Sequence, residues 1–274
     1  MPEFYNRTRR SSSIGKKLLR SGRMLELPIY WLLRTSDLAR EGFENSGSYR
    51  FADHIYRNRA SGRYGIGALL DSQLLRMRAV QAFRARFFKA RDELLLFLRQ
   101  QRQDAGQVDV LSVPCGIPRE LVEGAKKFSA EGGNLANIRF HAVDLDREVL
   151  QNAVAFAADS GITLLPHQGD ALESATYQGT FDFVTSTGFG EFLDDAMLMR
   201  FYSIVLQVLR PGGVFVTSSM RRTTVAGYLL DLAELHVHYR TTDEVAAIAR
   251  AAGLANVATS NDKSGIQAFL KATK

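Results

Sequence analysis

The chain has 274 residues, 46% of them apolar and 23% charged, with a net charge of +6. That composition excludes wholesale disorder, collagen and coiled coil, and no stretch approaches the roughly 20 apolar residues of a membrane-spanning helix. The single cysteine, Cys115, excludes an internal disulfide framework and a cysteine-rich zinc site, and the first residues lack the basic-then-apolar plan of a signal peptide, so the expected setting is the cytoplasm.

The charge is unevenly spread. Residues 1–105 hold 21 Lys and Arg against 10 Asp and Glu, whereas residues 106–274 hold 14 against 19. A boundary is therefore expected near Asp104-Ala105-Gly106, between a basic region (1–105) and a second domain (106–274). A basic region can meet membrane phosphates, nucleic acid or an acidic small molecule, and it can also be a solvated arginine-rich helical face.

From Ile14 to Arg34 the apolar spacing predicts two short helices, because Gly22 and Pro28 interrupt the pattern. Ser36 is a candidate N-cap for the segment that follows. Residues 48–67 mix Tyr49, Phe51, Tyr56 and Tyr64 with Arg50, Arg57, Arg59 and Arg63, and Gly62, Gly65 and Gly67 indicate a loop with close backbone approaches. Rings and guanidinium forks together suit an anionic or aromatic ligand. A long helical pattern runs from Ala68 to Arg102, with a break near residues 77–79.

After Gly106 the texture changes to strands alternating with helices. Strands are expected at 108–113, 138–143, 162–165, 181–185, 213–218, 257–259 and 267–271. Helices are expected at about 119–128, 147–158, 194–209 and 225–235, and from a Thr242 cap to Ala252, with Gly253 as the stop. This alternation implies an α/β fold, a doubly wound, mostly parallel seven-stranded sheet preceded by an N-terminal helical region. Such sheets bind ligands beyond the carboxyl ends of their strands.

Four segments at strand ends give this reading a chemical content. V-D-V-L-S-V-P-C-G-I-P joins a strand to a turn in which Gly116 permits close backbone approach. F-H-A-V-D-L-D ends a strand at Asp144, whose two carboxylate oxygens could accept from a vicinal diol, while Asp146 could cap the next helix. Q-G-D-A-L-E sets Asp170 after the third strand, and F-D-F-V-T-S-T-G-F-G leads to L-R-P-G-G-V-F-V. In this order they resemble a class I S-adenosylmethionine-dependent methyltransferase over residues 106–274. The pattern departs from the family at Pro114 and Pro118, which stand where glycine is usual, and at Ser112, where an acid is common. The absence of G-x-G-x-x-G argues against a nicotinamide cofactor, and no P-loop or serine-nucleophile motif occurs.

The resemblance implies S-adenosylmethionine as cofactor. It implies cofactor contacts from Ser112, Pro114, Cys115, Gly116, Asp144, Leu145, Asp170, Ala171, Ser186 and Thr187, with Asp144 on the ribose and Asp170 on the adenine. Residues 1–105 would form a lid that helps bind the acceptor. Tyr56, His54 and His236 are the candidates for catalysis, in a set of polar groups that also includes Tyr228 and His238. Two histidines at i, i+2 make a poor metal site, and none is expected.

The family's base-amino methyltransferases often carry an Asn/Asp/Ser-Pro-Pro-Tyr-like motif after the fourth strand, where this chain has T-S-T-G-F-G. The expected partner is therefore a small anionic or lipid-like acceptor, with peripheral contact to an anionic membrane, and nucleic acid is the lesser alternative. A non-catalytic accessory protein with the same fold is the other.

Overall fold

The structure, a computed structural model, describes residues 13–44, 49–101, 106–222 and 236–274. The expected helix at 225–235, Tyr228 and residues 104–105 of the expected boundary lie outside them. The chain forms two compact units: residues 1–84 with 224–236, and residues 85–223 with 237–274. The division falls inside one long helix.

The first unit is helical: α1 (Ser13–Arg20), a 3₁₀ turn (Met24–Glu26), α2 (Leu27–Leu33), α3 (Asp37–Glu44), α4 (Tyr49–Arg57), α5 (Ile66–Arg76) and the start of α6 (Arg78–Gln100). Two short helices do occupy 14–34. Ser36 caps α3 by accepting from Ala39 N–H at 3.0 Å. The aromatic-arginine stretch is half helix. Phe51 and Ile55 sit one turn apart on α4, Ile55 buries with Leu38 and Leu75, and Phe51 packs against them. Only residues 58–65 form the loop, and its glycines are needed there. A Cβ on Gly67 would lie 2.1 Å from the Thr35 carbonyl oxygen, and one on Gly62 would lie 2.6 Å from the Gly67 backbone.

Asp71 is the polar hub of this unit. It is fully buried and accepts from Ser36 Oγ, Leu38 N–H (2.9 Å) and Ser61 N–H (2.9 Å), and its other contact is His54 Nε2 at 3.0 Å. These bonds tie α3, α4, α5 and the glycine loop to one carboxylate, in keeping with the rule that buried charge is retained where it is fully partnered.

The second unit carries the sheet. Its elements are β1 (Val108–Ser112), α7 (Arg119–Ala130), β2 (Ile138–Asp144), α8 (Arg147–Ala158), β3 (Leu164–Gln168), β4 (Phe181–Ser186), α9 (Asp195–Val208), β5 (Leu209–Met220), α10 (Thr242–Ala251), β6 (Ala255–Asn261) and β7 (Gln267–Thr273). The strand order is β3-β2-β1-β4-β5-β7-β6. Pairings through β5 are parallel, and β7 runs antiparallel to both β5 and β6. The chain reverses its direction of winding between β1 and β4, which makes their carboxyl ends the switch point.

One face of the sheet packs Leu111, Val184 and Phe215 against Phe201, Tyr202 and Val205 of α9. On the other, Phe97 of α6 meets Phe183 at 5.2 Å between ring centres, and Lys271 bridges to Glu93 at 2.8 Å.

Three expected boundaries shift for local reasons. The third strand begins at Leu164, not Ile162. Gly161 is left-handed (φ +72°) and Ile162 N–H bonds back to Ala157 at 3.0 Å, so Ile162 belongs to the end of α8. The fifth strand starts at Leu209 and runs through Pro211-Gly212-Gly213, where the pairing with β4 slips by a bulge. The last helix is capped by Thr241 rather than Thr242. Glu244 N–H donates to Thr241 Oγ1, and Thr241 N–H donates to Glu244 at 2.7 Å, a reciprocal capping box. Among the described residues, no helix is long and apolar enough to cross a membrane.

Candidate active site

The ends of β1, β2, β3 and β4 bring together the ten residues expected to meet the cofactor. The loop after β1 is pinned on both sides. Val113 N–H donates to Thr185 O at 3.0 Å and Cys115 N–H to Val143 O at 2.8 Å. Pro114, which has no N–H, sits between these two anchors, and its peptide with Val113 is cis. Gly116 is left-handed (φ +49°) and donates to Asp144 Oδ2 at 3.1 Å. Its missing Cβ is what permits that turn.

Asp144 is the best-organised acid of the group. Gly116 N–H binds one oxygen and Asp146 N–H binds the other at 3.1 Å. Burial lifts its pKa above the ordinary aspartate value, and these N–H groups pull it back. The neighbouring Cys115 thiol, 3.9 Å from Asp144 Oδ2, is pushed well up by burial and then by that carboxylate, so it stays a thiol. Asp146 caps α8 through Glu148 N–H at 2.8 Å. Asp146 is thus the helix cap, as expected, and Asp144 keeps its carboxylate at the end of β2.

Leu145 accepts from Gln168 Nε2 at 3.3 Å, which joins the ends of β2 and β3. Asp170 takes Leu172 N–H at 2.9 Å, a local turn that holds its carboxyl group at the strand end. Ala171 is buried and accepts the Tyr177 hydroxyl at 2.8 Å. At the end of β4, Ser186 is buried and its hydroxyl has no partner within the described structure, while Thr187 is half-buried.

Glu120 was invisible at the sequence level. Ser112 Oγ donates to Glu120 Oε1 at 2.7 Å, and both residues are buried. The first turn of α7 thus brings a carboxylate to Ser112, the position where the family often has an acid. Burial raises the Glu120 pKa to about 7 against the pull of Ser112, its own backbone contact and Arg86. The available signal was Gly124, one turn on. A Cβ there would lie 3.0 Å from Leu94, which shows that this side of α7 faces α6.

The loop after β4 closes around a buried ion pair. Arg86 Nη1 lies 3.3 Å from Glu191, and both side chains are nearly inaccessible. Burial raises the Glu191 pKa, and Arg86 opposes it. Gly188 is left-handed (φ +84°), and a Cβ on it would fall 2.4 Å from Arg86 Nη1. Gly188→Ala is therefore expected to cost about 2 kcal/mol, from the strained backbone and the displaced guanidinium. A urea titration checks this, and an unchanged midpoint would contradict it.

His54 and Tyr56 are on α4 in the first unit. His54 is engaged by Asp71, and Tyr56 packs on Phe83 at 5.8 Å between ring centres. His236 also belongs to that unit and is exposed.

The comparisons with known proteins bear on this geometry. Residues 110–213 match the family model described as a methyltransferase domain. The chain carries a methyltransferase domain, and its sheet has the class I fold of S-adenosylmethionine-dependent methyltransferases. No curated protein matches its sequence.

Among solved structures, the methyltransferase resembles a possible exported protein from Bordetella parapertussis, with a TM-score of 0.76 and 21% identity over 100% of this chain and 99% of the other. It also resembles the magnesium protoporphyrin IX methyltransferase of Synechocystis PCC 6803 with bound SAH, with a TM-score of 0.55 and 12% identity over 81% and 93%. An O-methyltransferase family protein from Burkholderia thailandensis follows, with a TM-score of 0.54 and 15% identity over 94% and 70%. At these identities the likeness speaks for the fold.

The residues present fit the cofactor. A carboxylate fixed by two N–H groups suits a vicinal diol, and the unpartnered buried hydroxyl of Ser186 supplies hydrogen-bonding capacity at the neighbouring strand end.

Proposed function

We propose that this methyltransferase modifies a small, anionic or lipid-like acceptor in the cytoplasm. The observation that carries the reading is the charge of the first unit. Its residues 1–84 hold 16 Lys and Arg against 7 Asp and Glu, interleaved with tyrosine and phenylalanine. Guanidinium groups and rings recognise carboxylates, phosphates and flat apolar bodies. One solved neighbour acts on magnesium protoporphyrin IX and another is of an O-methyltransferase family, which supports a small acceptor. The single cysteine, buried and unpaired, supports the cytoplasm, whereas the neighbour described as a possible exported protein points the other way.

When bound, the cofactor supplies an electrophilic methyl on a sulfonium, which leaves as a neutral thioether. The chain's own part is to hold and align. Asp144 would take the ribose hydroxyls, Asp170 the adenine edge, and Ser186 and Thr187 the amino-acid end. The loop from Val113 to Gly116 gives the backbone its close approach. Alignment and exclusion of water are the main contributions, and a base is needed only if the acceptor must lose a proton. Of the three candidates for proton transfer, His236 has an exposed imidazole, His54 is engaged by Asp71, and Tyr56 packs on Phe83.

Asp144→Ala is expected to weaken S-adenosylmethionine binding by about 1–3 kcal/mol, with Asp144→Asn losing less, because one oxygen acceptor survives. Calorimetric titration of the three proteins measures it, and equal affinities would remove Asp144 from the site. The acceptor class is tested with labelled methyl donor against acidic metabolite, lipid and RNA fractions. Label entering RNA alone would overturn the small-acceptor reading.

A further inference from the structure

The corner formed by α1, the 3₁₀ turn and α2 buries one side and leaves the other bare. Leu18, Tyr30 and Phe43 make its small core. Leu19, Met24, Leu25, Ile29, Trp31 and Leu32 are all exposed, Leu25 at 92% and Trp31 at 60%. Single exposed apolar residues are ordinary on proteins, but six large ones within positions 19–32 call for a partner. In the same unit, Tyr64, Ile66 and Leu69, in and just before α5, are exposed as well, and α5 touches α2.

The segment has a basic fringe. Arg20 and Arg23 are exposed within it, and Arg23 also pairs with Glu26 at 2.7 Å. The Arg34 guanidinium lies 5.3 Å from the centre of the Trp31 ring. Residues 1–34 as a whole hold eight Lys and Arg against two acids.

We propose that this face docks on an anionic bilayer surface. Short helices with leucine, isoleucine and tryptophan on one side and arginine at the margin lie in the plane of the interface. Their apolar side chains reach about 5–10 Å into the boundary between headgroups and acyl chains. The arginines meet lipid phosphates there, and tryptophan favours that depth because its ring has an apolar body and a polar N–H.

The charge decides against the other occupants. A second copy docked by two-fold symmetry would set Arg20 and Arg23 of both copies around one apolar contact, and like charges there repel. Nucleic acid would use the arginines, but it offers no apolar depth to Leu25 or Ile29, and Trp31 is the one aromatic ring among the six. None of this depends on which acceptor is methylated.

The chain carries a built-in probe, because Trp31 is its only tryptophan. All the tryptophan emission therefore comes from the proposed contact. The full chain is titrated with phosphatidylcholine vesicles, with and without phosphatidylserine, and the emission and the pelleted fraction are read together. The expected result is a blue shift and pelleting that need phosphatidylserine and fade with salt.

Leu25→Glu is expected to lower partitioning by more than about tenfold. Arg20→Gln with Arg23→Gln is expected to lower it by about fivefold per arginine, the ratio that corresponds to about 1 kcal/mol for a basic residue at such a surface. Circular dichroism and S-adenosylmethionine affinity show whether each variant is folded. An unchanged spectrum at saturating anionic vesicles would overturn the proposal. So would a blue shift that follows protein concentration without lipid, which assigns the face to a second copy, or one produced by RNA and not by vesicles.

Discussion

Glu120→Gln is expected to stabilise the protein by about 3 kcal/mol at pH 8 and to change it little at pH 4. The magnitude follows from a buried carboxyl whose pKa is raised from 4.5 to about 7, at about 1.4 kcal/mol for each factor of ten in proton affinity. The sign follows from proton counting. Between the two values the folded protein holds a proton that the unfolded chain has released. Stability due to this group is therefore complete below about pH 4.5 and falls as the pH rises toward 7. Glutamine keeps the oxygen that accepts from Ser112 and never has to ionise in the interior. Denaturation midpoints measured from pH 4 to 8 should fall away in the wild type and stay flatter in the variant. Parallel curves would mean that Glu120 ionises freely in the fold.

The same residue shows why parts of the site were hidden in the sequence. The sheet was legible because each buried strand is a short β-branched or aromatic run, and each run ends at a turn that a glycine, proline or acid announces. Asp144, Asp146 and Gly116 could be assigned because their roles are local, each bonding within its own strand end or to the adjacent strand's loop. Glu120, Arg86, Glu191 and Arg240 act across the fold. Arg86 and Glu191 are 105 positions apart in the chain and meet only through the packing of α6 on the sheet. In sequence each looks like one more charge on a polar face.

The first unit hides its organisation for a related reason. The glycines of residues 62–67 indicate a loop, and the loop exists, but the preceding arginine-rich segment folds as α4 because Phe51 and Ile55 have a core to join. His54 has the chemistry of an acid–base residue. Its partner Asp71 lies 17 positions away and holds three other groups at the same time, which periodicity does not reveal.

Arg240→Ala is expected to cost about 3 kcal/mol of stability and to weaken S-adenosylmethionine binding by roughly tenfold. Arg240 is buried just before α10, and its guanidinium spends every nitrogen on the segment that follows β4. Nε reaches Asp195 at 2.8 Å, Nη1 the Gly190 carbonyl at 2.9 Å, and Nη2 the Leu193 carbonyl at 2.6 Å. Truncation leaves both carbonyl oxygens without these donors and opens a gap, and charged hydrogen bonds of this kind are worth about 1.5–3 kcal/mol each before any relaxation. The effect on binding has a separate cause. Residues 187–192 follow the carboxyl end of β4, where the cofactor is proposed to bind, and His238 N–H also holds that segment through the Glu191 carbonyl at 2.7 Å. With this anchor gone the segment loses part of its fixed position, and misplacement by about 1 Å is enough to cost tenfold or more at an aligned site. Arg240→Lys separates the two effects. A lysine keeps the charge near Asp195 but cannot reach three acceptors in one plane, so it should recover part of the stability and little of the affinity. Urea titration and calorimetry on the same samples measure both. If affinity per folded molecule is unchanged in Arg240→Ala, the residue supports the fold alone and the segment after β4 is positioned by other contacts.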